Sequence, residues 1–168
     1  MKIAVIGYSG SGKSTLSKEL SVRYQLPLLY LDSVHFLPGW VEREDGEAKR
    51  IVKRFLEQKN WVIDGNYLGL CGRRKLREAD IVIFLKFSRL SCLFRILKRF
   101  LKNRRKTRES MAEGCQEKLD PEFLLWVLWN GRTRKAARLY RLAAGRYPEK
   151  TLVIRNQRQL TAFKNRFL

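Results

Sequence analysis

The chain has 168 residues, with 36 Lys and Arg against 16 Asp and Glu, a formal net charge of +20 and 45% apolar residues. That length fits a single domain over residues 1–168 with one core, and the apolar content excludes a disordered chain. The charge implies anionic partners, but it attracts nucleotide phosphates, a nucleic-acid backbone and an anionic lipid surface alike.

Cys71, Cys92 and Cys115 are scattered without a CxxC pair, and His35 is the single histidine. This pattern excludes a disulfide framework and a zinc site, leaves the thiols structural, and points to a reducing compartment, the cytoplasm. The apolar run Ile3 to Ile6 is too short for a signal segment, and the longest later run, Phe123 to Trp129, falls well below the roughly 20 residues of a membrane span. A soluble protein with no membrane partner is expected.

In chain order, the first candidate strand is Lys2 to Ile6 and the first helix Lys13 to Tyr24. Between them stands Gly7-Tyr8-Ser9-Gly10-Ser11-Gly12-Lys13-Ser14-Thr15, which meets the G-x-x-x-x-G-K-[ST] pattern at every fixed position. Glycines at this spacing let backbone N–H groups of Gly7, Ser9, Gly10, Ser11 and Gly12 approach phosphate oxygens, and the helix adds its positive end. Lys13 would reach the β- and γ-phosphates of ATP, Ser14 would give its hydroxyl oxygen to Mg²⁺, and Thr15 would support the α-phosphate.

A second strand, Leu28 to Leu31, delivers Asp32 at its carboxyl end, where open parallel sheets bind ligands. Asp32 would accept a hydroxyl proton from the acceptor or, alternatively, cap the following turn. In the aromatic loop that follows, His35 reads as structural, while Phe36 and Trp40 either stack on the acceptor or pack beneath the loop.

After a helix over Glu44 to Gln58, the strand Trp61 to Ile63 leads into Asp64-Gly65-Asn66-Tyr67. Asp64 follows its hydrophobic run as a Walker B carboxylate does and would hold Mg²⁺ with Ser14; a plain Asp-Gly turn is the alternative. Gly65 would let the chain turn sharply toward the acceptor, with Tyr67 beyond it.

The fourth strand, Ile81 to Leu85, precedes a helix over Arg89 to Lys102. Leu90, Leu93, Phe94, Leu97 and Leu101 share one face at helical spacing and are expected to pack against the core. Arg95, Lys98, Arg99 and Lys102 fall opposite, and Arg104, Arg105, Lys106 and Arg108 carry the charge onward. Arg95, Arg99 and Arg108 are the candidates for stabilising charge on a transferring phosphoryl group; a solvated basic face is the bland alternative.

One long helix is expected from about Pro121 to Ala144, with Phe123 to Trp129 as packing surface, then a strand over Thr151 to Ile154 and a last helical turn or two after Asn156. Arg155 and Asn156 fall where a loop would close over adenine. The alternation of strands and helices predicts an α/β class: a three-layer P-loop NTPase fold around a parallel five-stranded sheet.

Taken together, the P-loop, Leu31-Asp32 to Pro38-Gly39-Trp40, Trp61 to Tyr67, and Ala79 to Leu85 make the chain resemble the adenylate kinase-related P-loop kinases known as DNA topology modulation proteins. Arg89, Cys92-Leu93, Arg95, Arg99, Lys106-Thr107-Arg108, Gly114-Cys115 and Phe123 to Trp126 extend the likeness over nearly the whole chain. The resemblance implies a sheet of nucleoside monophosphate kinase type, ATP binding, and an arginine-bearing lid inserted at about residues 103–117. Lys86 departs from the acidic residue usual in that family, and Glu109 from a proline.

Two functions are carried forward. One is an ATP- and Mg²⁺-dependent kinase of a nucleoside, nucleotide or similar small acceptor. The other is a basic nucleic-acid-binding protein that modulates DNA topology; a kinase acting on polynucleotide ends would join the two.

Overall fold

Alternate side chains of a strand face opposite layers, and the first strand shows this directly: Ile3 and Val5 enter one apolar cluster, Ala4 and Ile6 the other. Both faces are therefore covered, which is the condition for an all-parallel sheet. The computed structural model describes residues 1–103, 109–115 and 119–168.

The strands β1 (Lys2–Gly7), β2 (Leu28–Tyr30), β5 (Trp61–Asp64), β6 (Ile81–Leu85) and β7 (Thr151–Ile154) form one five-stranded sheet in the order β2-β5-β1-β6-β7. All of its pairings are parallel. The expected α/β three-layer architecture is thus present. β1 lies at the centre of the sheet, so the loop that follows it opens between two flanking strands, where ligand-binding crevices of open parallel sheets form.

One layer is built by α3 (Asp45–Leu56), α4 (Gly72–Glu78) and α7 (Arg138–Arg146), which bury Val52, Leu76 and Leu139 against Ile63 and Phe84. The other is built by α1 (Lys13–Tyr24), α5 (Arg89–Asn103), α6 (Pro121–Leu128) and α8 (Gln157–Phe167), with Leu16, Ile96, Val127 and Leu160 packed on Val62 and Ile83. Between β2 and α3 the chain makes a short helix α2 (Leu31–His35) and a small antiparallel pair, β3 (Phe36–Leu37) and β4 (Val41–Glu42). Among the described residues no helix is long and apolar enough to cross a membrane.

Three expectations are corrected. The segment from Pro121 to Ala144 is not one helix: α6 ends at Leu128, a 3-10 turn covers Asn130–Arg132, and α7 starts at Arg138. The break lets Arg132 turn inward, where Nη2 donates to the Phe87 carbonyl at 3.0 Å and the guanidinium lies 3.7 Å from the Tyr8 ring centre. The last helix is longer than a turn or two, because the Asn156 side chain accepts from the Gln159 amide at 2.9 Å and caps a helix reaching Phe167.

The third correction concerns α5. Its leucine and phenylalanine stripe does not pack on the core: Leu90 is 76% exposed, Phe94 72%, Leu97 38% and Leu101 76%. Cys92 and Ile96 face the sheet instead and are fully buried, with Arg95 half-buried beside them. The helix is turned so that Arg95 and Arg99, not its most apolar residues, face inward beside Cys92 and Ile96. Ile96→Ala is expected to cost about 2–4 kcal/mol in urea unfolding, whereas Leu90→Ala and Leu101→Ala each cost below about 0.5 kcal/mol.

Candidate active site

The turn after β1 ends at the first residue of α1, and its Gly10 has a φ of 76°, with Cys92 O only 2.6 Å from where a Cβ would stand. Only glycine fits there. Ser9, Gly10, Gly12, Lys13, Ser14 and Thr15 line a cleft of about 2030 Å³ above the carboxyl ends of the strands. Ser11 is buried beneath this surface and its hydroxyl has no hydrogen-bond partner. Lys13 Nζ folds over the loop and donates to the Tyr8 carbonyl at 3.2 Å.

The loop is braced from outside the motif. The Gly7 amide donates to Asn66 Oδ1 at 3.0 Å, and Asn66 Nδ2 returns a bond to the Gly7 carbonyl at 2.7 Å. The Tyr140 hydroxyl donates to the same carbonyl at 3.0 Å, and its ring stacks on Phe84 with centres 4.6 Å apart. On the other flank Arg95 Nη1 donates to the Ser11 carbonyl at 3.0 Å, and its guanidinium lies 4.2 Å from the Phe87 ring centre. Arg99 also lines the cleft.

At the end of β5, Asp64 is 4% exposed and its Oδ1 has no hydrogen-bond partner. Burial pushes its carboxyl up to about 6, against the opposing pull of Lys13 and a hydrogen bond from the Ser14 hydroxyl. A hydroxyl and a buried carboxylate with an unused oxygen fit Mg²⁺, which takes hard oxygen donors and keeps several waters. Among the described residues there is no group of three or more His, Cys, Asp and Glu that would hold a metal through protein atoms alone.

Behind Asp64 lies Lys75, the largest buried cation, whose Nζ donates to the Gly65 carbonyl at 2.5 Å. Burial lowers its ammonium to about 8. Between about pH 6 and 8, therefore, a carboxylate and an ammonium of opposite sign lie buried beneath the cleft.

The far end of the cleft is aromatic and acidic. Asp32, at the start of α2, stands beside the Tyr67 hydroxyl; burial first, and then the Asp32 charge, hold Tyr67 well above the ordinary tyrosine range. The rings of Tyr67, His35, Phe36 and Trp40 follow one another at centre distances of 4.6, 4.6 and 5.3 Å. All four border the cleft. Arg43 is engaged elsewhere: Nε donates to the Val34 carbonyl at 2.8 Å and Nη1 to Glu47 at 2.5 Å.

Lys13, Ser14, Asp32, Trp40, Asp64, Tyr67, Arg95 and Arg99 thus gather at one cleft. Arg108 lies outside the described residues. Arg155 and Asn156 do not border the cleft; Arg155 is exposed and the Asn156 side chain is committed to capping α8. Glu109 pairs with Lys18, and Lys86 is exposed.

Sequence reading missed Asn66, Lys75, Arg132 and Tyr140 as supports. Asn66 follows the Asp64-Gly65 pair with no local signal that its side chain reaches back to Gly7. Lys75 sits in the Arg73-Arg74-Lys75 run of α4 and resembles a surface cation.

No protein-family model matches the chain, and no curated protein matches it. Solved structures do. A shikimate kinase from Bacteroides thetaiotaomicron aligns over 99% of this chain and 95% of its own at 17% identity, with a TM-score of 0.56. A gluconokinase from Sinorhizobium meliloti 1021 aligns over 98% and 91% at 16% identity, TM-score 0.53. The deoxyadenosine kinase from M. mycoides with bound dATP aligns over 99% and 98% at 17% identity, TM-score 0.51. The chain shares the three-layer α/β fold of these three kinases.

The buried Asp64 generates a pH test. Its unfolded form ionises near 3.8 and its folded form near 6, so its contribution to stability is present below 3.8 and lost as pH rises through 6. Asp64→Asn removes this titration. The ligand-free variant is expected to match the wild type near pH 4 and to exceed it at pH 7.5 by up to about 3 kcal/mol, read from urea unfolding at both pH values.

Proposed function

We propose that this protein is a Mg²⁺- and ATP-dependent kinase that transfers the γ-phosphoryl group to a hydroxyl of a small, ring-bearing acceptor. The observation that carries the reading is the pairing, across one cleft, of the phosphate-binding loop with its Lys13, Ser14 and Asp64 and an acidic, aromatic pocket around Asp32.

Backbone amides from Gly10 to Lys13 and the Lys13 ammonium would hold the β- and γ-phosphates, releasing Lys13 from the Tyr8 carbonyl. Ser14 and Asp64 would hold Mg²⁺, which would supply charge neutralisation on the phosphate oxygens. The acceptor oxygen attacks phosphorus in line, the bond from phosphorus to the β,γ-bridging oxygen breaks, and ADP leaves with that electron pair. Asp32 takes the hydroxyl proton, as a carboxylate beside the Tyr67 hydroxyl can. Arg95, fixed to the Ser11 carbonyl, and Arg99 offer guanidinium charge to the equatorial oxygens.

The acceptor is read as an alcohol from the segments around Asp32; the cations Lys135 and Arg138 border the cleft from a different segment. A second phosphate beside Asp32 needs a neighbouring cation. Residues 30–42 and 64–70 contain no Lys or Arg, and Arg43 is turned away to Glu47. The ring series from Tyr67 to Trp40 offers flat apolar surface to a planar or cyclic acceptor.

The test is a screen of nucleosides, nucleotides, cyclic hydroxy acids and oligonucleotides for Mg²⁺-dependent ADP release. A hydroxyl acceptor is expected to stimulate release. Asp32→Asn is expected to lower that turnover about 10²- to 10⁴-fold with ATP binding retained, and Lys13→Ala to weaken ATP binding itself. A well-folded protein that gives no calorimetric signal with ATP and Mg²⁺ overturns the reading.

A further inference from the structure

We infer that the outward face of α5 docks on an anionic lipid surface. Leu90, Phe94, Leu97 and Leu101 recur at i, i+4, i+7 and i+11, which places them on one line about 16 Å long. With exposures of 76, 72, 38 and 76%, they point away from the protein. The opposite side of the same helix is taken up by Cys92 and Ile96, both fully buried. A globular helix ordinarily turns its apolar stripe inward; here that side holds the cleft arginines, and the stripe has no partner among the described residues.

Charge selects the occupant. The stripe is flanked by exposed Arg89 and Lys98, α5 contains no Asp or Glu, and the chain carries +20. A second copy would bring two helices of like charge together over a strip one residue wide, while a stable dimer interface takes about 800 Å² per partner. Duplex nucleic acid would be met chiefly at its phosphates through Lys and Arg, which leaves a line of three leucines along the helix unused. An anionic bilayer uses both features: apolar side chains enter the boundary between headgroups and acyl chains, and Lys and Arg meet lipid phosphates. The sequence-based expectation of no membrane partner rested on span length, which a helix lying in the interface does not need.

The experiment is flotation of the full chain with vesicles of phosphatidylcholine alone and of phosphatidylcholine with phosphatidylglycerol. Binding to the anionic vesicles is expected, weakening with salt, and little binding to neutral ones. The exposed-site variant Phe94→Ser with Leu101→Ser is expected to bind at least 10-fold more weakly with unchanged urea unfolding, and Leu90→Ser with Arg89→Glu to do the same. No binding to anionic vesicles overturns the inference. So does binding that both variants retain, since whole-surface charge then suffices. A dimer in sedimentation equilibrium, or an oligonucleotide complex, that the same substitutions dissolve assigns the face to that partner and overturns it as well.

Discussion

A peptide at the end of the central strand must be held still before any amide beyond it can grip a phosphate. Here that peptide is Gly7, and the Asn66 side chain meets both its donor and its acceptor, at 3.0 and 2.7 Å. The two bonds tie the loop after β1 to the loop after β5, so the phosphate-binding amides and the Asp64 carboxylate share one rigid frame. Tyr140 adds a third bond to the same carbonyl from the opposite layer. Preorganisation of this kind gives electrostatic stabilisation its value, because donors already aimed need no reorganisation when charge moves.

The floor of that frame carries an electrostatic cost. Asp64 and Lys75 are both removed from water, and each is shifted toward its neutral form by burial. Such a carboxylate is unfavourable in the empty protein and becomes favourable when a cation arrives. Burial of this pair costs stability in the empty protein, a cost that functional sites commonly carry.

The strands and the phosphate loop were legible because their signals are local. Gly7 to Thr15 meets a spaced pattern, and Ile3 to Ile6 or Ile81 to Leu85 are short runs that only a covered strand accommodates. The gathering of Asp32, Asp64 and Tyr67 at the carboxyl ends of the strands was legible too, since a parallel sheet places them there. What escaped were side chains whose roles depend on distant partners. Lys75 reads as one more cation in a basic run until its ammonium is seen on the Gly65 carbonyl. The long helix after Pro121 was misread because the pull of Phe87 and Tyr8 on Arg132 is invisible locally. Periodicity located the stripe on α5 correctly but could not say which face the arginines would claim.

The hydroxyl of Tyr140 reaches Gly7 across 133 positions of chain. During synthesis the loop after β1 is made well before α7, which carries one of its braces. A nascent chain ending before α7 holds the entire motif yet lacks that clamp, and long-range closure of this sort is slow because the intervening chain must first be ordered. The loop after β1 therefore reaches its braced geometry only once α7 has been made and has docked.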